Sequence, residues 1–93
     1  MLTLFDRIRE AVREERFLVS WHADERCEGR SITAWQIAVG LDDARLVQAW
    51  PHSQPNPTVV VRQLLADGSE VEAVWAWLPA SRRAMLVTVY WVP

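Results

Sequence analysis

The chain has no lysine; all ten of its basic residues are arginine, set against twelve acidic ones in 93 residues, for a formal net charge of -2. Proteins held to nucleic acid by phosphate contacts usually carry a basic surplus or a basic face. Any such surface here must therefore be local. Each cation is nevertheless a planar fork that can grip carboxylate or phosphate through two parallel bonds. Cysteine is nearly missing too: with Cys27 alone, no internal disulfide and no cysteine-based zinc cluster can form. The sequence also lacks a Gly-rich phosphate loop, a nucleophile elbow and an HExxH pair, which removes several enzyme classes. No long apolar run occurs, and Asp6, Arg7, Arg9 and Glu10 stand where a secretory signal would turn apolar. This predicts neither a signal peptide nor a membrane span. A reducing cytoplasm is the expected location for a chain with one thiol.

What is present is ordinary globular composition, 51% apolar and 24% charged. Its length suits a single domain, residues 1–93, folding alone or as a homodimer. In "TLFDRIREAVREE", Leu4, Phe5, Ile8, Ala11 and Val12 share one helical stripe, and Thr3 with Asp6 has capping-box spacing. "RFLVSW" reads as a brief strand or an extended connector. "ITAWQI" starts another helix, from Ala34 to about Leu41, with Thr33 as N-cap, Gln36 three residues on, and Ile32 with Ile37 as a hydrophobic staple. "ARLVQAWP" reads as a strand, and the three prolines of "PHSQPNP" as a loop. Two strand-like runs flank Asp67-Gly68, the pair that a two-residue type I′ turn favours. Such a turn sets Leu64 against Val71, Arg62 against Ala73 and Val60 against Trp75, with Arg62 beside the Trp75 ring. "RRAMLVTVYWV" supplies the last strand. The expectation is an α+β two-layer fold, N-terminal helices on one face of a roughly four-stranded antiparallel sheet.

The stretch "SWHADERCEGRSI" carries His22, Arg26 and Arg30 at four-residue intervals on one side of a helix, with Ala23 and Cys27 on the adjacent buried stripe. Cys27 reads as a small core residue rather than a nucleophile. The acidic residues Asp24, Glu25 and Glu28 have no arginine three or four positions ahead. Asp24 with Glu28 and Arg26 with Arg30 are like-charge pairs, each unfavourable by roughly 0.2–0.5 kcal/mol. The two arginines must find partners elsewhere: an anion such as RNA phosphate, carboxylates of the sheet or, for Arg30, a helix C-terminus where positive charge is favourable. His52 with His22 offers no recognised ligand spacing, so no metal or other cofactor is expected. The six tryptophans suit a core, a stacking surface or an interface.

The pattern Ser20-x-His22-Ala23-x-x-Arg26, then Arg30-x-Ile32, and a closing Val87-Thr88-Val89-Tyr90-x-x-Pro93 resembles the bacterial domain of unknown function family 4258. More distantly it resembles the RelE and BrnT type toxins, which share a compact helices-on-sheet ribonuclease fold. The likeness spans residues 17–93. It implies metal-independent cleavage of RNA, with His22 as general acid or base, Arg26 and Arg30 holding the phosphate and Tyr90 orienting it. Attack by a ribose 2′-hydroxyl needs a proton acceptor and fixed cations where charge develops. A cognate antitoxin would then be a partner. The rival reading is a non-catalytic binding or assembly module that uses an exposed tryptophan patch or the edge of the last strand.

Overall fold

A computed structural model describes residues 2–93. Three helices, α1 (Leu4–Arg13), α2 (Trp21–Glu28) and α3 (Ala34–Val39), accompany five strands: β1 (Phe17–Val19), β2 (Arg45–Trp50), β3 (Thr58–Leu64), β4 (Glu70–Leu78) and β5 (Arg83–Trp91). The fold is α+β, with sheet order β1-β5-β4-β3-β2. It holds one strand more than expected and is mixed, because Phe17, Leu18 and Val19 run parallel to Ala84, Met85 and Leu86. A run of three residues is too short for its periodicity to decide between strand and connector. The last strand is therefore interior at that end, and β2 forms the opposite edge.

The helix starts follow their capping signals. In α1 the Asp6 N–H donates to Thr3 Oγ1 and the Thr3 N–H to Asp6 Oδ2, each at 3.1 Å; these bonds hold the Asp6 carboxyl below its ordinary range. Thr33 and Gln36 form the matching box at α3, which gives way to a 3₁₀ turn over Gly40–Asp43. The ends of α1 and α2 are less conventional. Arg16 N–H donates to the Ala11 carbonyl at 2.8 Å and Ile32 N–H to that of Cys27 at 3.1 Å. Glu15 (φ 61°) and Ser31 (φ 57°) occupy the left-handed position where glycine is usual.

The β3–β4 hairpin corrects the expected register. Leu65 N–H donates to the Ser69 carbonyl at 2.8 Å and Gly68 N–H to that of Leu65 at 3.0 Å, so the connection has three residues, Ala66 to Gly68, with Gly68 at φ 89°. This is the type I turn closed by a left-handed residue. The Ser69 N–H donates to Asp67 Oδ1 at 2.8 Å, which lowers the carboxyl's pKa. Leu64 consequently opposes Glu70, Arg62 opposes Glu72 and Val59 opposes Trp75. A slip of one residue reverses the facing of a strand relative to its partner. Arg62 thus leaves the Trp75 ring and bonds Glu72, its Nη2 donating to Oε2 at 2.5 Å.

Helices and sheet meet in one core, where Ile8 and Ala11 of α1, Cys27 of α2 and Ile37 of α3 pack with Val59, Val61, Val71, Leu86 and Val89 around a wholly buried Trp75. Gln63 reaches through it to donate to the Ile37 carbonyl at 3.1 Å. Gly40 makes that possible, since a Cβ there would lie 2.5 Å from Gln63 Nε2. The tryptophans divide between uses: Trp75 is core, Trp77 and Trp91 are half-buried, and Trp21, Trp35 and Trp50 are exposed. Among the described residues, no helix is long and apolar enough to cross a membrane.

Candidate functional site

Strand β1 ends at Val19, level with Leu86. Beyond that point, among the described residues, β5 has no strand on its outer side, and α2 takes the place of one. Ser20 begins the replacement: its N–H donates to the Leu86 carbonyl at 2.9 Å and its hydroxyl to that of Val87 at 2.7 Å. The same hydroxyl accepts the Ala23 N–H at 3.0 Å and caps α2. One turn further, Arg26 Nε donates to the Val89 carbonyl at 2.5 Å. Ala23 and Cys27 turn into the core, each nearly free of solvent contact. Burial pushes the Cys27 thiol up, with Asp24 adding to the effect, so it stays protonated and inert at neutral pH. The reading of Cys27 as a core residue holds.

The arginines find rings rather than carboxylates. The Arg26 guanidinium carbon lies 5.0 Å from the centre of the Tyr90 ring, and that of Arg30 lies 5.0 Å from the centre of the Trp91 ring. Neighbouring residues of a strand point to opposite faces. The two cations of α2 therefore straddle the end of β5, one on each side. Arg26, Arg30 and Trp91 line an open depression of about 330 Å³ with Glu25 and Gly29. Among the described residues, neither His22 nor Arg26 nor Arg30 forms an ion pair. Arg26 spends only its Nε donor on the main chain, which leaves its terminal amino groups free for an anion.

Of the four residues expected to act together, the structure joins Arg26 with Tyr90 and Arg26 with Arg30. His22 is exposed one turn before Arg26 and lies outside the lining of the depression. Tyr90 is half-exposed and stands opposite Glu72, itself opposite Arg62. The row Arg62, Glu72, Tyr90 crosses the sheet face not covered by helices. Glu72 holds Arg62 more firmly protonated through their hydrogen bond. Sequence reasoning missed Trp91 as a partner of Arg30, and the main-chain carbonyl as a partner of Arg26. A Tyr-Trp pair closing a strand is visible in the sequence, but its meeting with α2 depends on the parallel placement of β1. Among the described residues, no three His, Cys, Asp or Glu side chains are placed to hold a metal.

Comparison with protein-family models, with curated proteins and with solved structures gave no match.

Proposed function

We propose that the corner between α2 and β5 binds single-stranded RNA, Arg26 and Arg30 taking phosphate while unpaired bases stack on the arginine–aromatic layers at Tyr90 and Trp91. The observation that carries this reading is the pair of guanidinium groups one helical turn apart, each seated on a ring and neither joined to a carboxylate. Stacking orients the planar cation without consuming its donors. RNA readers commonly use aromatic rings and guanidinium planes as base platforms. Free phosphate-binding arginines in an otherwise acidic chain also make the cationic surface local, as the composition requires.

The likeness to the toxin ribonucleases extends the proposal to cleavage. The 2′-oxygen attacks the adjacent phosphorus and its proton passes to His22. The bond to the 5′-oxygen breaks, that oxygen takes a proton from water, and a 2′,3′-cyclic phosphate remains. Arg26 and Arg30 stabilise the charge that builds on the phosphoryl oxygens.

The test is fluorescence anisotropy with a labelled single-stranded RNA at low salt, followed by analysis of the RNA ends in the presence of EDTA. Arg30→Gln is expected to weaken binding by about tenfold, as loss of a charge-assisted bond of ~1.4 kcal/mol does. His22→Ala is expected to abolish cyclic-phosphate ends while leaving binding intact. RNA bound but uncleaved by the wild type would remove the catalytic step, and no binding at low salt would overturn the whole reading.

A further inference from the structure

The other edge of the sheet carries a different surface. All six residues of β2 are exposed, among them Leu46, Val47 and Trp50, and no side chain of the described residues donates to its outer side. Edge strands of monomers are commonly protected by lysine, by internal proline, by an inward charge or, more weakly where it stands alone, by a bulge. Of these β2 has only the bulge, where the pairing with β3 skips Val47.

The bulge sets the facing of the strand. Arg45 opposes Arg62 and Trp50 opposes Thr58, and these two partners, four residues apart on β3, both lie on the uncovered face. Residues separated by five would lie on opposite faces of a regular strand. The extra residue brings Arg45 and Trp50 to the same face, and likewise puts Leu46 and Ala49, opposite Val61 and Val59, together on the helix face.

From this we infer that the chain forms a homodimer through β2, two copies pairing antiparallel about a two-fold axis between Val47 and Gln48. That register opposes Arg45 to Trp50 of the second copy, Leu46 to Ala49, and Val47 to Gln48. Every opposed pair at the ends then shares a face, and the two bulges meet at the axis. An isologous contact needs this kind of self-complementarity. The end pairs are also chemically matched. Arg45 has no ion pair among the described residues and faces the like charge of Arg62; Trp50 offers an unoccupied ring. Three arginines already lie over rings within the chain, at Phe5, Tyr90 and Trp91, so Arg45 on Trp50 repeats the chain's own device. An extended peptide would satisfy the main chain of the edge but would not require this pairing of ends. The dimer is a ten-stranded sheet whose uncovered faces are continuous and whose α2–β5 corners lie at its two far ends.

Sedimentation equilibrium of the full chain between about 5 and 500 μM tests this, since a contact of one strand pair lies at the weak end of specific interfaces, with Kd on the order of 10–100 μM. Val47→Lys sets two like charges at the axis and is expected to weaken the dimer at least about tenfold; Arg45→Ala, which removes the cation from both ends, weakens it about fivefold. Thermal melts establish that each variant is folded. If Val47→Lys does not fold, amide exchange of wild-type Gln48, Ala49 and Trp50 decides, with protection expected to rise with concentration. A wild type monomeric throughout, a dimer indifferent to a folded Val47→Lys, or concentration-independent exchange would each overturn the inference.

Discussion

The two sides of the sheet solve the same problem by different means. Where β5 outlasts β1, the chain supplies its own cover: Ser20 and Arg26 reach the carbonyls of Val87 and Val89, and α2 lies over them. Along β2 no segment of the described residues returns as cover, and apolar side chains are exposed. The contrast separates roles within the motif Ser20-x-His22-Ala23-x-x-Arg26. Ser20, Ala23 and Arg26 hold a helix against a strand end, so their presence is explained by folding alone. His22 and Arg30 make no such main-chain bond to β5. Stability should therefore report on the first group and ligand binding on the second, with Arg26 belonging to both.

The largest effect that could break this contrast is the stability loss from Arg26→Ala. Removing a charged donor from the Val89 carbonyl, together with its seat on Tyr90, is expected to cost about 1.5–2 kcal/mol in urea unfolding at low protein concentration. Ser20→Ala, which strips α2 of its cap and Val87 of its donor, should cost about 1 kcal/mol. On the bare edge, Arg45→Ala and Val47→Ala should stay within about 0.5 kcal/mol of wild type. Equal losses at both edges would mean that α2 does not act as the cover of β5.

How far these features were legible depends on the range of the interaction behind each. The capping boxes at Thr3 and Thr33 were readable because their bonds span three residues. The stripe of Ala23 and Cys27 was readable because helical period fixes which positions share a face. The hairpin register was not. Asp67-Gly68 marks a turn, but a two-residue and a three-residue loop both accept that pair, and one residue decides whether Arg62 meets Trp75 or Glu72. Glu15 and Ser31 carry no glycine signal at their helix ends, although both adopt the glycine conformation. The α2 arginines were legible as cations in need of partners, and His22 as the third member of their row, but not its exposure outside the depression. Their actual partners, two rings and a carbonyl of β5, lie more than sixty positions away in a strand whose neighbour is set by a parallel crossover.

Acid titration gives the smallest and most selective test. Asp6 and Asp67 have carboxyl pKa values lowered in the folded chain, chiefly by the Thr3 and Ser69 N–H donors respectively. A carboxyl whose folded pKa lies below its unfolded value of about 3.9 favours folding while ionised. Its contribution is complete above the unfolded pKa and is lost as pH falls through the folded value. Wild-type Tm should therefore drop below about pH 4, and Asp6→Asn and Asp67→Asn should each narrow that drop, since neither replacement can take up the proton. No carboxylate takes part in the Ser20 and Arg26 bonds to β5. The Tm gap between wild type and Ser20→Ala should accordingly stay constant as pH falls below about 4, over the same range in which the gap to the aspartate variants closes. A Ser20→Ala gap that shrinks in parallel would tie the covered edge to a titrating group, and the distinction between a main-chain cap and an electrostatic one would fail there.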